Sequence, residues 1–237
     1  MSQGIPLKRL ALEALAIVGS ILLAFAIDAW WQQRVELKQA DALIADLHAD
    51  FEVSQVHLAE WLAGNQWIQR SSSELLDNIK NAETDEVISV RHETIVGSIG
   101  AATYDPISST LDAMISSGQI NLIEDIQIRN ALALWQQKLA DTREDEDLVR
   151  EITLRELVPA LAEQVRLGRA FEFDRLHATF IDPASAERIE RVQILATTRL
   201  EGALGSRVFY STYIVTGLAE IFDMQADILK MLEKHMD

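Results

Sequence analysis

Hydrophobic positions fall into two regimes along this chain. Residues 10–31 read LALEALAIVGSILLAFAIDAWW, almost continuously apolar apart from Glu13 and Asp28. Farther on, apolar or small residues return at alternating steps of three and four: Ile44, Leu47, Phe51, Ser54, Leu58, Trp61, Asn65, Ile68, Ser72, Leu75 and Ile79. The first regime predicts a transmembrane helix, because residues 10–31 extend about 33 Å as a helix against a hydrocarbon core of about 30 Å. The charge-free part, residues 14–27, covers only about 21 Å, so at least one carboxylate falls near the hydrocarbon edge. The second regime predicts the seam of a long helix packed against neighbours, with Asp46, Asp50, Glu52, Glu60, Arg70 and Asp77 off it. Ala40 and Leu37 carry the seam back toward the apolar segment, which predicts one continuous helix for anchor and stalk. Ser54, Asn65 and Ser72 interrupt the seam. They set register where they face a partner, or mark a bend of the kind Gly64 permits.

Local signals divide the remainder. Thr84, in the polar run at residues 81–86, predicts an N-cap for a short helix reaching Ile99 and ending near Gly97 or Gly100. Asp105-Pro106 and Asp182-Pro183 both pair an N-capping side chain with proline at the first helical position. The first predicts a helix over residues 107–117, stopped by Gly118. Residues 125–157 continue as a long helix, which Pro159 kinks or restarts. Its acidic stretch DTREDED, residues 141–147, is expected on a solvated face. Residues 168–181, with Phe171, Phe173 and Phe180, are the expected irregular or strand-like stretch, and residues 183–234 read as helix again, weakened at Gly202, Gly205 and Gly217. The fold class is therefore all-α: an N-terminal transmembrane helix continuing into a long-helix bundle. Residues 1–9 form a short tail, 10–31 the span and 32–237 the bundle domain.

Composition narrows the function classes. Only 10 Gly and 4 Pro in 237 residues favour long helices over many short strands. A net charge of −16 argues against nucleic acid as a partner. The absence of cysteine removes disulfides, thiolate metal sites and cysteine nucleophiles. Lys8 and Arg9 with a following apolar run also fit a signal peptide, cut after Ala24-Phe25-Ala26. Glu13 within that run and the interfacial pair Trp30-Trp31 favour an uncleaved anchor. The positive-inside tendency places the N-terminus in the cytoplasm and residues 32–237 in the periplasm of a bacterial inner membrane, although Arg34 and Lys38 weaken the asymmetry.

Two blocks of the chain resemble an uncharacterised family of bacterial single-pass membrane proteins. The first carries Glu13, Gly19, Ala24, Asp28 and Trp30, in the places of an E-I-L-x-x-x-I-G-I-x-I-A-x-x-x-N-N-W type anchor; aspartate and alanine stand at 28 and 29 where the pattern has amides. The second, SSGQINLIEDIQIRNALALWQQ at residues 116–137, carries Ser117, Gly118, Leu122, Ile123, Arg129, Leu132 and Trp135. The resemblance covers under a fifth of the chain. It implies an envelope protein with a helical outer domain and brings no activity with it.

Candidate chemistry is sparse. Glu13 and Asp28 are the sharpest sites, since an ionisable group at membrane depth faces a partner helix, a water-filled path or the headgroup layer. Gly19 and Ser20 allow close helix approach, in loose combination with Ala16 and Ala24. His48 and His57 share helix faces with Glu52 and Glu60, but no Glu-x-x-His pair occurs, and surface ion pairing with neighbours such as Asp46 and Asp50 is expected. The acidic run Asp141, Glu144, Asp145, Glu146, Asp147 lacks the glycine and terminal glutamate of a calcium loop. Ser108, Ser109, Ser116 and Ser117, near Asp112, read as caps and turns, because no nucleophile elbow is present and neither His92 nor His177 can be set beside them. No cofactor and no metal is expected. The function these residues suggest is a non-enzymatic, membrane-anchored scaffold or accessory subunit. Its partners would be the lipid bilayer and either further copies of itself or other membrane subunits. The anchor residues Glu13, Gly19, Asp28, Trp30 and Trp31 and the apolar seam would mediate assembly. The alternatives are a homo-oligomeric channel lined by Glu13, with Asp28 at its mouth, and a periplasmic ligand-sensing module acting through a partner.

Overall fold

A computed structural model describes residues 7–169 and 191–236. Helix α1, Leu7–Lys80, is a single 74-residue helix, so the apolar segment and the stalk are continuous. Strand β1, Val87–Arg91, follows, then helix α2, His92–Ile99, and helix α3, Ser109–Ser117. Helix α4, Ile126–Ile152, passes through a π-helical turn at Thr153–Leu157 into the short helix α5, Val158–Ala162. Strand β2, Arg191–Leu195, leads into the last helix, α6, Thr198–Met236. Helix α6 runs antiparallel to both α1 and α4. Gln55 Nε2 donates to the Phe222 carbonyl at 3.1 Å and Gln69 Nε2 to Thr212 Oγ1 at 3.1 Å, while Asp125 near the start of α4 meets His235 near the end of α6 at 3.4 Å. The three long helices are the body of the bundle.

Ten of the eleven seam positions on α1 are buried, all against elements of the same chain. Trp61 is the exception at 39% exposed, while its neighbour Leu62 packs on the core. An α-helix drifts relative to a strict seven-residue repeat, and the buried face passes from 61 to 62 before returning at Asn65. Packing on α1 begins only at Ala40.

The two strands correct the all-helical reading of their segments. VISVR and RVQIL pair antiparallel, with Val87 opposite Leu195 and Arg91 opposite Arg191. Val90 and Ile194 point to the core and their neighbours do not. β-Branched residues at a period of two suit a half-buried strand. Helix α2 thus starts at His92 rather than after Thr84, and residues 191–195, expected within the last helix, are strand, so α6 begins at Thr198, with Thr197 Oγ1 accepting from the Leu200 amide at 3.2 Å. Helix α3 also starts later than the Asp105-Pro106 signal implies. Residues 100–108 run as an extended strap, and Asp50 on α1 accepts from the Thr110 amide at 3.2 Å, capping α3 from outside. Gly118 ends α3 in the left-handed conformation, φ 77°, as a C-cap glycine does. The expected irregular stretch from residue 170 on, its phenylalanines, His177 and Asp182-Pro183 lie outside the described residues.

Two apolar clusters fill the bundle. One joins Leu47, Phe51, Leu58, Trp135, Leu218 and Ile228; the other joins Leu75, Ile95, Leu157, Leu161, Ile194 and Leu204. Gly97 lets α2 sit on α1: a Cβ there would lie 2.6 Å from Ser71 Cβ and 3.0 Å from the Trp67 ring. Gly97→Ala is therefore expected to cost about 1–3 kcal/mol by overpacking and to lower the thermal midpoint by about 2–12 °C. Gly202→Ala, in open space on α6, is the control, and thermal unfolding should show it neutral or slightly stabilising.

Candidate functional site

The predicted anchor residues lie on a bare rod. Every residue from 15 to 39 is exposed, and among the described residues no other element packs there. Among the described residues α1 is the one helix long and apolar enough to cross a membrane. Winding at about 100° per residue brings Glu13, Ala16, Ser20, Ala24 and Asp28 within about 120° of one another on one face. Leu15, Val18, Leu22 and Phe25 fall on the other side. The small residues Ala16, Ser20 and Ala24 stand at four-residue spacing, a regularity the sequence reading credits only as loose combinations. Ser20 Oγ donates to the Ile17 carbonyl at 2.8 Å, so the hydroxyl is satisfied within its own helix. Gly19 lies off this face. A Cβ added there would meet nothing within 4 Å. At the C-terminal end of the apolar segment the Arg34 guanidinium lies 5.6 Å from the Trp30 ring centroid, a cation–π contact, and Trp31 beside it is exposed.

A second arrangement lies where sequence reasoning expects none. Between the two apolar clusters the bundle carries a polar belt: Asn65 and Ser72 from α1, Thr142 and Glu146 from α4, Thr153 from the π-helical turn, and Arg207 and Ser211 from α6. Arg207 is completely buried. Its Nε donates to Ser72 Oγ at 3.2 Å, Nη1 donates to Thr153 Oγ1, and Nη2 donates to the Gly100 carbonyl of the strap. Ser72 and Thr153 can accept because each spends its own proton on a carbonyl one turn back, at Ile68 (2.9 Å) and Val149 (2.7 Å). All three acceptors are neutral, and burial pulls the Arg207 pKa down to about 10, which leaves it cationic at neutral pH.

Glu146 corrects the expectation that residues 141–147 are solvated, since it is only 5% exposed and Thr142 beside it is buried as well. The Tyr104 amide of the strap donates to Glu146 Oε1 at 3.1 Å. Burial raises the carboxyl to about 7 against the partial relief of that hydrogen bond and of Arg150 and Arg143, with Asp105 adding to the rise. The same strap residue reaches two other elements. Tyr104 Oη donates to the Ser54 carbonyl at 3.2 Å and accepts from Gln225 Nε2 at 3.0 Å. Ser54 Oγ accepts from the Ile107 amide at 2.9 Å. The polar seam residues of α1 therefore fix the strap and α6 in register. Glu146, Arg207, Ser211 and Asn65 line a cavity of about 20 Å³, together with Gly100 to Thr103 of the strap.

The other candidates have structural roles. His48 is half-buried, 3.6 Å from Glu52 on its own helix and 3.6 Å from Glu233 on α6, so it joins two elements where surface pairing is the expectation. His57 and Glu60 are exposed. Ser108 Oγ donates to Asp112 at 2.7 Å, and Ser116 and Ser117 donate to the Ala113 carbonyl. Arg129 donates to the Ile123 and Glu124 carbonyls, bracing the start of α4, and Trp135 packs 4.9 Å from Phe51. Comparison with protein families, curated proteins and solved structures finds no match to the chain.

Proposed function

We propose that this chain is a non-enzymatic, single-pass membrane protein that assembles through the exposed face of α1 bearing Glu13, Ala16, Ser20, Ala24 and Asp28. Its bundle serves as an outer scaffold domain. The observation that carries the reading is the contrast along α1: among the described residues nothing packs on residues 15–39, whereas the seam from Ile44 to Ile79 is buried by the chain's own helices. The outer domain needs no second chain to cover that seam. The anchor face remains, with small residues that permit close approach and carboxylates that would be costly against hydrocarbon. The partner is a second copy of this helix or a basic-bearing membrane subunit. Lys8 and Arg9 support a cytoplasmic N-terminus and a periplasmic bundle in a bacterial inner membrane, and the two-block family resemblance agrees.

The natural absence of cysteine makes the test direct. Single cysteines placed in turn at residues 15–28 of the full chain in membranes should form oxidative crosslinks with helical periodicity. Positions 16, 20 and 24 should crosslink strongly, and 15, 18 and 22 weakly. Crosslinks to a different protein on the same face would identify a hetero-complex. A flat profile, together with a monomeric mass in detergent and no co-purifying subunit, would refute the reading.

A further inference from the structure

The polar belt has a charge balance that the protein's own hydrogen bonds do not complete. Arg207 is fully buried, yet among the described residues no carboxylate lies within ion-pair distance of it, and its partners are two hydroxyls and a carbonyl. Three of its five N–H donors are used, leaving two. Ser211 Oγ, also buried and lining the same cavity, has no hydrogen-bond partner among the described residues. A buried cation without a counter-charge is costly, and a buried hydroxyl without a partner adds to that cost. The cavity beside them, about 20 Å³, admits one water-sized particle and nothing as large as a carboxylic acid or a nucleotide.

We propose that this cavity is a binding site for a single small monovalent anion of the halide class, held by the Arg207 guanidinium and the Ser211 hydroxyl and taken up together with a proton on Glu146. With Glu146 ionised, the cavity lining already carries a negative charge, which repels an anion. With Glu146 neutral, Arg207 is uncompensated, and an anion restores balance. The groups facing Glu146 bear on this exchange from each side: Arg143 and Arg150 on α4 and Asp105 with the Tyr104 amide on the strap. Arg207 and Asn65 face the shared cavity from α6 and α1. The carboxyl of Glu146 already stands near 7 in the empty site, so the exchange falls in the neutral range. The site lies wholly in the bundle, and the inference does not depend on how the anchor assembles.

The test is thermal unfolding of the full chain in non-ionic detergent, titrated with sodium chloride against sodium gluconate at constant ionic strength; gluconate is too large for the cavity. At about pH 6 chloride should raise the midpoint saturably, by about 3–6 °C at ten times its dissociation constant, and at about pH 8 by far less. Arg207→Met should abolish the chloride effect. Glu146→Gln, which mimics the neutral carboxyl, should retain it at the higher pH. Ser211→Ala, a smaller change, should weaken it several-fold if Arg207→Met does not fold, and chloride-35 line broadening should report binding on the wild-type protein independently. Equal midpoints in chloride and gluconate at about pH 6 would overturn the proposal, as would a chloride effect that survives both Arg207→Met and Ser211→Ala.

Discussion

Trp135→Ala is expected to be among the most damaging single substitutions in the bundle, lowering stability by about 3–5 kcal/mol. The indole is 1% exposed, sits 4.9 Å from the Phe51 ring and belongs to the cluster that joins α1, α4 and α6. Truncation removes its buried surface and leaves a hole that three rigid helices cannot close together. The thermal midpoint of the full chain should fall by about 6–20 °C. Trp135→Phe separates packing from polarity. The indole Nε1 is buried with no partner among the described residues, so phenylalanine discards an unsatisfied donor while keeping most of the ring volume. Its cost should be a small fraction of that of alanine. If the two substitutions cost the same, the indole N–H has a partner that the structure does not contain, and the packing argument at this position fails.

The course of α1 is readable because two independent patterns point the same way: an apolar run interrupted only by Glu13 and Asp28, then a three-four seam. Both are properties of one helix, and neither depends on what packs against it. The strands lacked such support. Their signal is five residues each, and the partner of VISVR lies about a hundred residues away at RVQIL, so neither reads as a strand without the other. The polar belt was missed for another reason. Residues 141–147 were judged by composition, and a run so rich in charge looks solvated. Read by face instead, α4 buries Ile128, Leu132, Trp135, Thr142, Glu146 and Val149, with Thr153 next, and with the half-buried Leu139 between Trp135 and Thr142 these follow the same steps of three and four as α1. On α6 the series Leu200, Leu204, Arg207, Ser211, Ile214, Leu218, Ile221, Gln225, Ile228 and Leu232 is just as regular, and it places Arg207 and Ser211 on the buried face. The signal was present, but it needed the seam rule carried through all three helices.

The anchor shows the opposite limit. Its sequence gives the residues of the apolar segment, and the helix aligns Glu13, Ala16, Ser20, Ala24 and Asp28 on one face, yet among the described residues no other element packs against residues 15–39. In the bundle, by contrast, the groups that meet Arg207 and Glu146 come from the chain's own helices and strap.

Glu146→Gln should change how stability depends on pH. The folded protein raises this carboxyl from the ordinary 4.5 to about 7, so between those values the native state holds a proton that the unfolded chain has released. Stability from this group is therefore full below about pH 4.5 and is lost as pH rises toward 7, the reverse of a carboxylate paired in the native state. Beyond about pH 7 the loss levels off at roughly 3 kcal/mol. Glutamine carries no such penalty. Its amide oxygen can still accept from the Tyr104 amide, while its NH₂ group adds a cost that does not vary with pH. Measured in gluconate so that no small anion enters the cavity, the stability difference between variant and wild type should rise in favour of glutamine from about pH 4.5 to about pH 7 and then stay flat. Because the constant cost cannot mimic a slope, the slope itself identifies the buried proton. A difference that stays level across this window would mean that Glu146 is ionised in the folded protein. Arg207 would then have its counter-charge in the cavity already.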